Sequence, residues 1–181
     1  MSRDDPNEVV RFWREAGPSA WFTKNPDFDR RFRERFEGAH FAAARREHEA
    51  WATQGPDSAL ALVLLLDQFP RNTYRGTGHM YATDPLARHY ADRLIAQGFD
   101  QRIEASLRLF CYLPFAHSED MADQQRSLAL NRALDAESGE HAQGHLDIIR
   151  RFGRFPHRNR LLGRTTTPEE QAFLDAGGFA G

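Results

Sequence analysis

The stretch from Pro56 to Pro70 constrains this chain more than any other. From Leu60 to Leu66 it reads Leu-Ala-Leu-Val-Leu-Leu-Leu, apolar on every side of a helix. A helix apolar all round has to be surrounded, because an amphipathic stripe would be enough for one lying on a surface. Ala59 to Leu66 is far too short to cross a bilayer, so its surroundings are protein. Ser58 is placed to cap a helix over Ala59–Gln68, and Pro70 is expected to stop it.

The rest of the chain supplies the surrounding elements, and they also read as helices. Val and Ile are scarce and alternating apolar–polar windows are few, so no strand is predicted. A first helix spans Asn7–Glu15 and ends at Gly17-Pro18. Pro26 opens a second, on which Phe28, Phe32 and Phe36 recur every four residues as one stripe, with the pattern running on to Trp51. Arg71–Thr83 reads as a polar loop. Further helices begin at Asp84-Pro85, near Glu104, after Ser118, after Ser138 and at Thr167-Pro168-Glu169-Glu170. The expectation is an all-α chain of about eight helices in antiparallel pairs, forming a single domain over 1–181, a length that supports one core. Leu66-Asp-Gln-Phe-Pro-Arg-Asn72 and Arg154-Phe-Pro-His-Arg-Asn159 echo one another as a weak internal repeat.

Charge narrows the function classes. The net charge is −2, so no broad basic field recruits nucleic acid or an anionic membrane. All but one of the 24 basic side chains are Arg, the exception being Lys24. The lone Cys111 cannot form an internal disulfide, and the first ten residues carry no apolar signal core, so a cytoplasmic protein is expected.

Three blocks carry chemistry. In the first, Asp67 ends the apolar helix, where a buried carboxylate needs a partner; Arg71 is near enough to supply a fork, and Asn72 follows. In the second, His117 precedes a helix start, Glu119 stands in or beside its first turn, and Gln124 or Gln125 turns an amide inward. The third holds His141 and His145 one turn apart, then Arg150, Arg151, Arg154, His157, Arg158, Asn159, Arg160 and Arg164, with no acid from Ile148 to Pro168. Six guanidinium groups need either acids from elsewhere or an anionic ligand. The His141/His145 pair lacks the Glu of a zinc-protease motif, so no metal and no cofactor are expected.

Taken together, LALVLLLDQFPRN (60–72), ATDPLA (82–87), YLPFAHSED with Gln124 (112–124), HLDIIRRFGRFPHRNRLLGRTTTPEEQAFL (145–174) and WFTKNPDFD (21–29) resemble the bacterial domain-of-unknown-function family 924. The resemblance covers nearly the whole chain. It implies an all-helical, tetratricopeptide-like fold and no stated reaction.

The functional expectation therefore rests on the residues. It is a small-molecule binder or hydrolase-like enzyme for an anionic substrate. His117, Glu119 and His145 are the candidate catalytic groups, since His alone titrates near neutrality unperturbed. Asp67, Arg71, Asn72, Gln124, Arg151, Arg154, His157, Arg158 and Asn159 are the candidate binding groups. The competing expectation is a helical module for a peptide or protein partner, its polar groups forming a purely structural network.

Overall fold

A computed structural model describes residues 4–179. Among them there is no β-strand; the chain is all-α, and no helix is long and apolar enough to cross a membrane. In order, the helices are α1 (Pro6–Ala16), α2 (Pro18–Trp21), α3 (Pro26–Ala44), α4 (Trp51–Gln54), α5 (Pro56–Val63), a π segment (Leu64–Gln68), α6 (Phe69–Thr73), α7 (Asp84–Ala96), α8 (Ala105–Arg108), α9 (Leu113–Ala116), α10 (Met121–Leu134), α11 (Ala136–Phe152) and α12 (Pro168–Asp175), with short 3-10 turns between several of them. They form two compact units. The first takes the chain up to Arg75 together with His79–Pro114; the second takes Gly76–Gly78 and the chain from Phe115 onward.

In the first unit, α1 and α3 start as their sequences dictate. Asp5 accepts from the Asn7 N–H, Asn25 accepts from the N–H groups of Asp27 and Phe28, and a proline stands at each first turn. The phenylalanine stripe of α3 is core: Phe28, Phe32 and Phe36 each lie 5.3 Å, centroid to centroid, from Phe12 of α1, and Phe32 meets Phe69 at 5.0 Å. The pattern does not run on to Trp51 as expected. Arg46 adopts φ +62°, its N–H bonding the Ala43 carbonyl while the Glu47 N–H bonds that of Ala42. This is a Schellman ending with arginine where glycine is usual, so composition gives no hint of it.

The apolar helix is fully buried from Ala59 to Leu66, as its pattern requires. It neither starts at Ser58 nor stops at Pro70. It begins at Pro56, and the backbone stays helical to Thr73 by widening to a π turn over Leu64–Gln68. The widening makes room for Pro70, which would crowd the carbonyl four residues back in a regular helix. The Phe69 N–H bonds the Leu64 carbonyl, and two carbonyls that lose their usual donors find side chains. His40 Nδ1 lies 2.8 Å from the Leu65 oxygen, and Thr83 Oγ1 donates to the Leu66 oxygen at 2.6 Å.

In the second unit, α10 and α11 pack as a hairpin joined at Asp135. Their caps are aspartates rather than the expected serines. Asp120 accepts from the N–H groups of Ala122 and Asp123, and Asp135 from that of Ser138. The helices approach so closely at Gly139 that a Cβ there would sit 2.9 Å from Arg132 Cγ. Ile148, Ile149 and Phe155 form the core beside α11, with Met121, Phe152 and Phe173 packed on them. Helix α12 starts at Thr167 as expected, and does so with a capping box in which Thr167 and Glu170 bond one another's N–H groups.

Candidate functional site

Asp67, Arg71 and Asn72 lie in the first unit, and their bonds there knit secondary structure together. Arg71 donates to Asp67 Oδ1 at 3.3 Å and to the Asp67 carbonyl at 2.9 Å, and grips both oxygens of Asp84 at 2.8 and 3.0 Å. It thereby ties the end of α6 to the start of α7. Burial works against the Arg71 cation, but the two carboxylates outweigh it and raise its pKa. Gln68 donates to Asp67 Oδ2 at 2.7 Å, and Asn72 donates to Asp29 Oδ1 at 2.9 Å.

The second and third blocks come together inside the second unit. Glu119 Oε1 accepts the Phe155 N–H at 2.8 Å, and its two oxygens hold Arg164 in a fork at 2.7 and 3.0 Å. Burial raises the Glu119 carboxyl, yet the bonds from Arg164 and Phe155 outweigh it and leave the pKa lowered. Glu119 thus anchors the Arg154–Arg164 turn instead of orienting a histidine. Gln124 is fully buried, and its amide donates to the carbonyls of Ala116 at 2.8 Å and Ser118 at 2.6 Å. It fixes the turn that carries His117.

The arginine run is largely answered by acids of its own unit. Arg154 forks onto Glu170 at 2.6 and 2.8 Å, Arg151 reaches Glu169 at 3.1 Å, and Arg150 reaches Asp147 at 2.7 Å. Asn159 joins these pairs: its amide donates to Glu170 Oε2 at 3.1 Å, and its oxygen accepts from Arg164 Nε at 3.0 Å. Arg158 is buried with its guanidinium 4.6 Å from the Phe155 ring centroid. In the sequence Arg164 stands out only as one of six arginines in want of partners, and Glu170 only as part of a helix start. The helix start that holds Glu170 was legible, but its bond to Arg154 crosses 16 residues and leaves no local mark.

His145 stands apart from this network. It is half-buried on α11, its ring 5.6 Å from Phe155 and 4.8 Å from Phe179. Nδ1 is buried without a hydrogen-bond partner among the described residues. Burial first, then the charges of His117, Arg158, His141 and His157, push its pKa down from 6.5 to about 3. His157 shares the Phe179 ring at 5.2 Å, edge to face. Phe179 reaches both histidines because the chain turns back after α12. Gly177 takes φ +80°, and a Cβ on Gly178 would lie 2.6 Å from the Phe173 carbonyl oxygen. His141 is exposed, 4.0 Å from Glu137. Among the described residues no three His, Cys, Asp or Glu side chains are placed to hold a metal ion.

The model of a bacterial protein family of unknown function, DUF924, matches residues 9–178. The chain belongs to the DUF924 family. This DUF924 protein is also similar to a solved structure, that of Protein of Unknown Function ATU0120 from Agrobacterium tumefaciens, at 56% identity over 95% of this chain and 97% of that one, with a TM-score of 0.93. No curated protein matches it. The likeness to that structure supports the fold of this DUF924 protein, and neither comparison names an activity.

Proposed function

We propose that the second unit binds a small anion, a carboxylate or a phosphate ester, against His145, with His117, His157 and Arg158 supplying the positive field. The observation that carries this reading is His145 itself. It is an imidazole without a hydrogen bond among the described residues, held neutral among groups that are cationic when charged. A base whose proton affinity is that low is only a weak proton acceptor at neutral pH. An anion bound beside it offsets the same charges and raises its pKa toward neutrality, so the ligand's own charge would arm the base. This is acid–base chemistry of hydrolase type, with His145 taking up the proton and His117 the second titratable group. Phe179 lies against the ring, 4.8 Å between centroids.

Isothermal titration with acetate, phosphate and phosphate monoesters, in buffers of differing ionisation heat, tests the proposal. Binding should take up protons, tighten as pH falls toward the bound-state pKa, and be lost in His145→Asn. Binding without proton uptake, or undiminished in His145→Asn, rules it out.

A second reading is favoured by Arg154–Glu170 and Arg164–Glu119: the C-terminal arginines are architectural, and the unit is a scaffold for a macromolecular partner. Under it, no small anion stabilises the protein at any pH.

A further inference from the structure

The π segment has a consequence for the histidine that meets it. His40 of α3 has no solvent exposure, and its Nδ1 lies 2.8 Å from the Leu65 oxygen. A carbonyl can only accept, so the proton of this imidazole sits on Nδ1 and Nε2 carries the lone pair. Nε2 is buried and has no hydrogen-bond partner among the described residues. Buried acceptors in native proteins are almost always satisfied, so this one asks for an explanation. An imidazole pinned by a backbone carbonyl at one nitrogen, with its other nitrogen bare, has the arrangement in which histidine ligates metals; the carbonyl fixes tautomer and ring orientation.

A second imidazole stands beside it. The His79 ring lies 5.7 Å from that of His40, stacked on Tyr74 at 4.0 Å, and makes no hydrogen bond among the described residues. With metal–nitrogen bonds of about 2.0 Å and about 1.1 Å from nitrogen to ring centre, two rings 5.7 Å apart subtend an angle of about 134° at a shared ion. That lies between tetrahedral and linear. Burial lowers the His40 pKa and the nearby His79 adds to that, which keeps the ring neutral and its Nε2 lone pair available, while Glu37, one turn before His40 on α3, acts in the opposite direction. Its Oε1 is held by Tyr74 and Arg33.

We propose that His40 and His79 form a two-imidazole site for a late first-row cation, copper(II) or zinc, with water completing the coordination. Imidazole nitrogen suits both ions, and the Irving–Williams order puts copper ahead. The site is independent of the anion site in the second unit.

The test uses the full chain without an affinity tag, titrated with copper(II) or zinc in the presence of glycine as competitor, while the histidine ring signals are followed by NMR. One equivalent should bind, with the His40 and His79 signals perturbed together. His79→Ala should weaken binding at least tenfold, and His89→Ala, which removes an exposed histidine, should leave it unchanged. Tighter loading by copper than by zinc supports the ion assignment. Absence of stoichiometric binding, loading that leaves the His40 signals unmoved, or equal affinity in folded His79→Ala overturns the proposal. The His40 signal in the unaltered protein decides the matter even if the variant fails to fold.

Discussion

Replacing Glu170 by glutamine keeps the shape of the side chain and removes its charge. In the native protein, Oε1 accepts from Arg154 Nε at 2.6 Å, while Oε2 accepts from Arg154 Nη2 at 2.8 Å, the Thr167 N–H at 2.8 Å and Asn159 Nδ2 at 3.1 Å. All four partners are donors. A glutamine amide places its own N–H groups against one side of this ring and leaves a donor there unmatched. Hydrogen bonds to a charged group contribute about 1.5–3 kcal/mol each, and they share one acceptor here, so the expected loss is about 2–3 kcal/mol. For a chain of this size that is a fall in Tm of roughly 4–12 °C. Arg154 and the Thr167 cap hold the Glu170 carboxyl down to about 2 against an ordinary 4.5, although burial alone would raise it. A depressed carboxyl stabilises the fold above its unfolded-state pKa and loses that contribution as pH falls through the folded value. The gap between wild type and Glu170→Gln should therefore be full at pH 7 and close between about pH 4.5 and 2. Urea unfolding followed by far-ultraviolet circular dichroism reads both quantities. A difference below about 0.5 kcal/mol at pH 7 refutes the assignment of Glu170 as the hub joining Arg154, Asn159 and α12. So does a difference that persists unchanged to pH 2.

Other expected outcomes follow the same reasoning. His145 has a folded pKa near 3 against 6.5 unfolded, so the unfolded chain gains a proton first as pH drops and stability declines between those values; His145→Asn should flatten that decline in an acid titration of unfolding free energy. Thr83→Val removes the hydroxyl that satisfies the Leu66 carbonyl and should lower stability by about 1–3 kcal/mol, whereas Thr83→Ser should largely restore it. Gly178→Ala should unseat Phe179 and speed modification of His145 and His157 by diethyl pyrocarbonate; an unchanged rate would mean that Phe179 does not cover them.

What could be read in the sequence was what periodicity carries. The Phe28/Phe32/Phe36 stripe, the buried run to Leu66 and the helix start at Thr167 are local patterns, and each stands in the structure as its spacing required. The misread boundaries came from local rules overridden by distant groups. Pro70 was expected to end a helix, but a π turn and the side chains of His40 and Thr83 absorb it. Ser118 and Ser138 were expected to cap, but the helices start at nearby aspartates, Asp120 accepting from Ala122 and Asp123 and Asp135 from Ser138, while the serine hydroxyls donate to Asp123 and Asp135. Within the site, the acid-free arginine run signalled that partners were needed without naming them. Glu119 sits 45 residues from Arg164 along the chain, and only folding pairs them. The Phe-Pro-Arg-Asn echo has a partial physical counterpart, since Asn72 and Asn159 each donate to a carboxylate, of Asp29 and Glu170 respectively.

The proposed anion site turns on the proton affinity of one side chain. Histidine ring signals followed from acid to neutral pH, with and without phosphate, measure it directly. His145 should titrate near pH 3 in the free protein and move toward neutrality when phosphate is present. A His145 that titrates near 6.5 in both conditions would contradict the proposal.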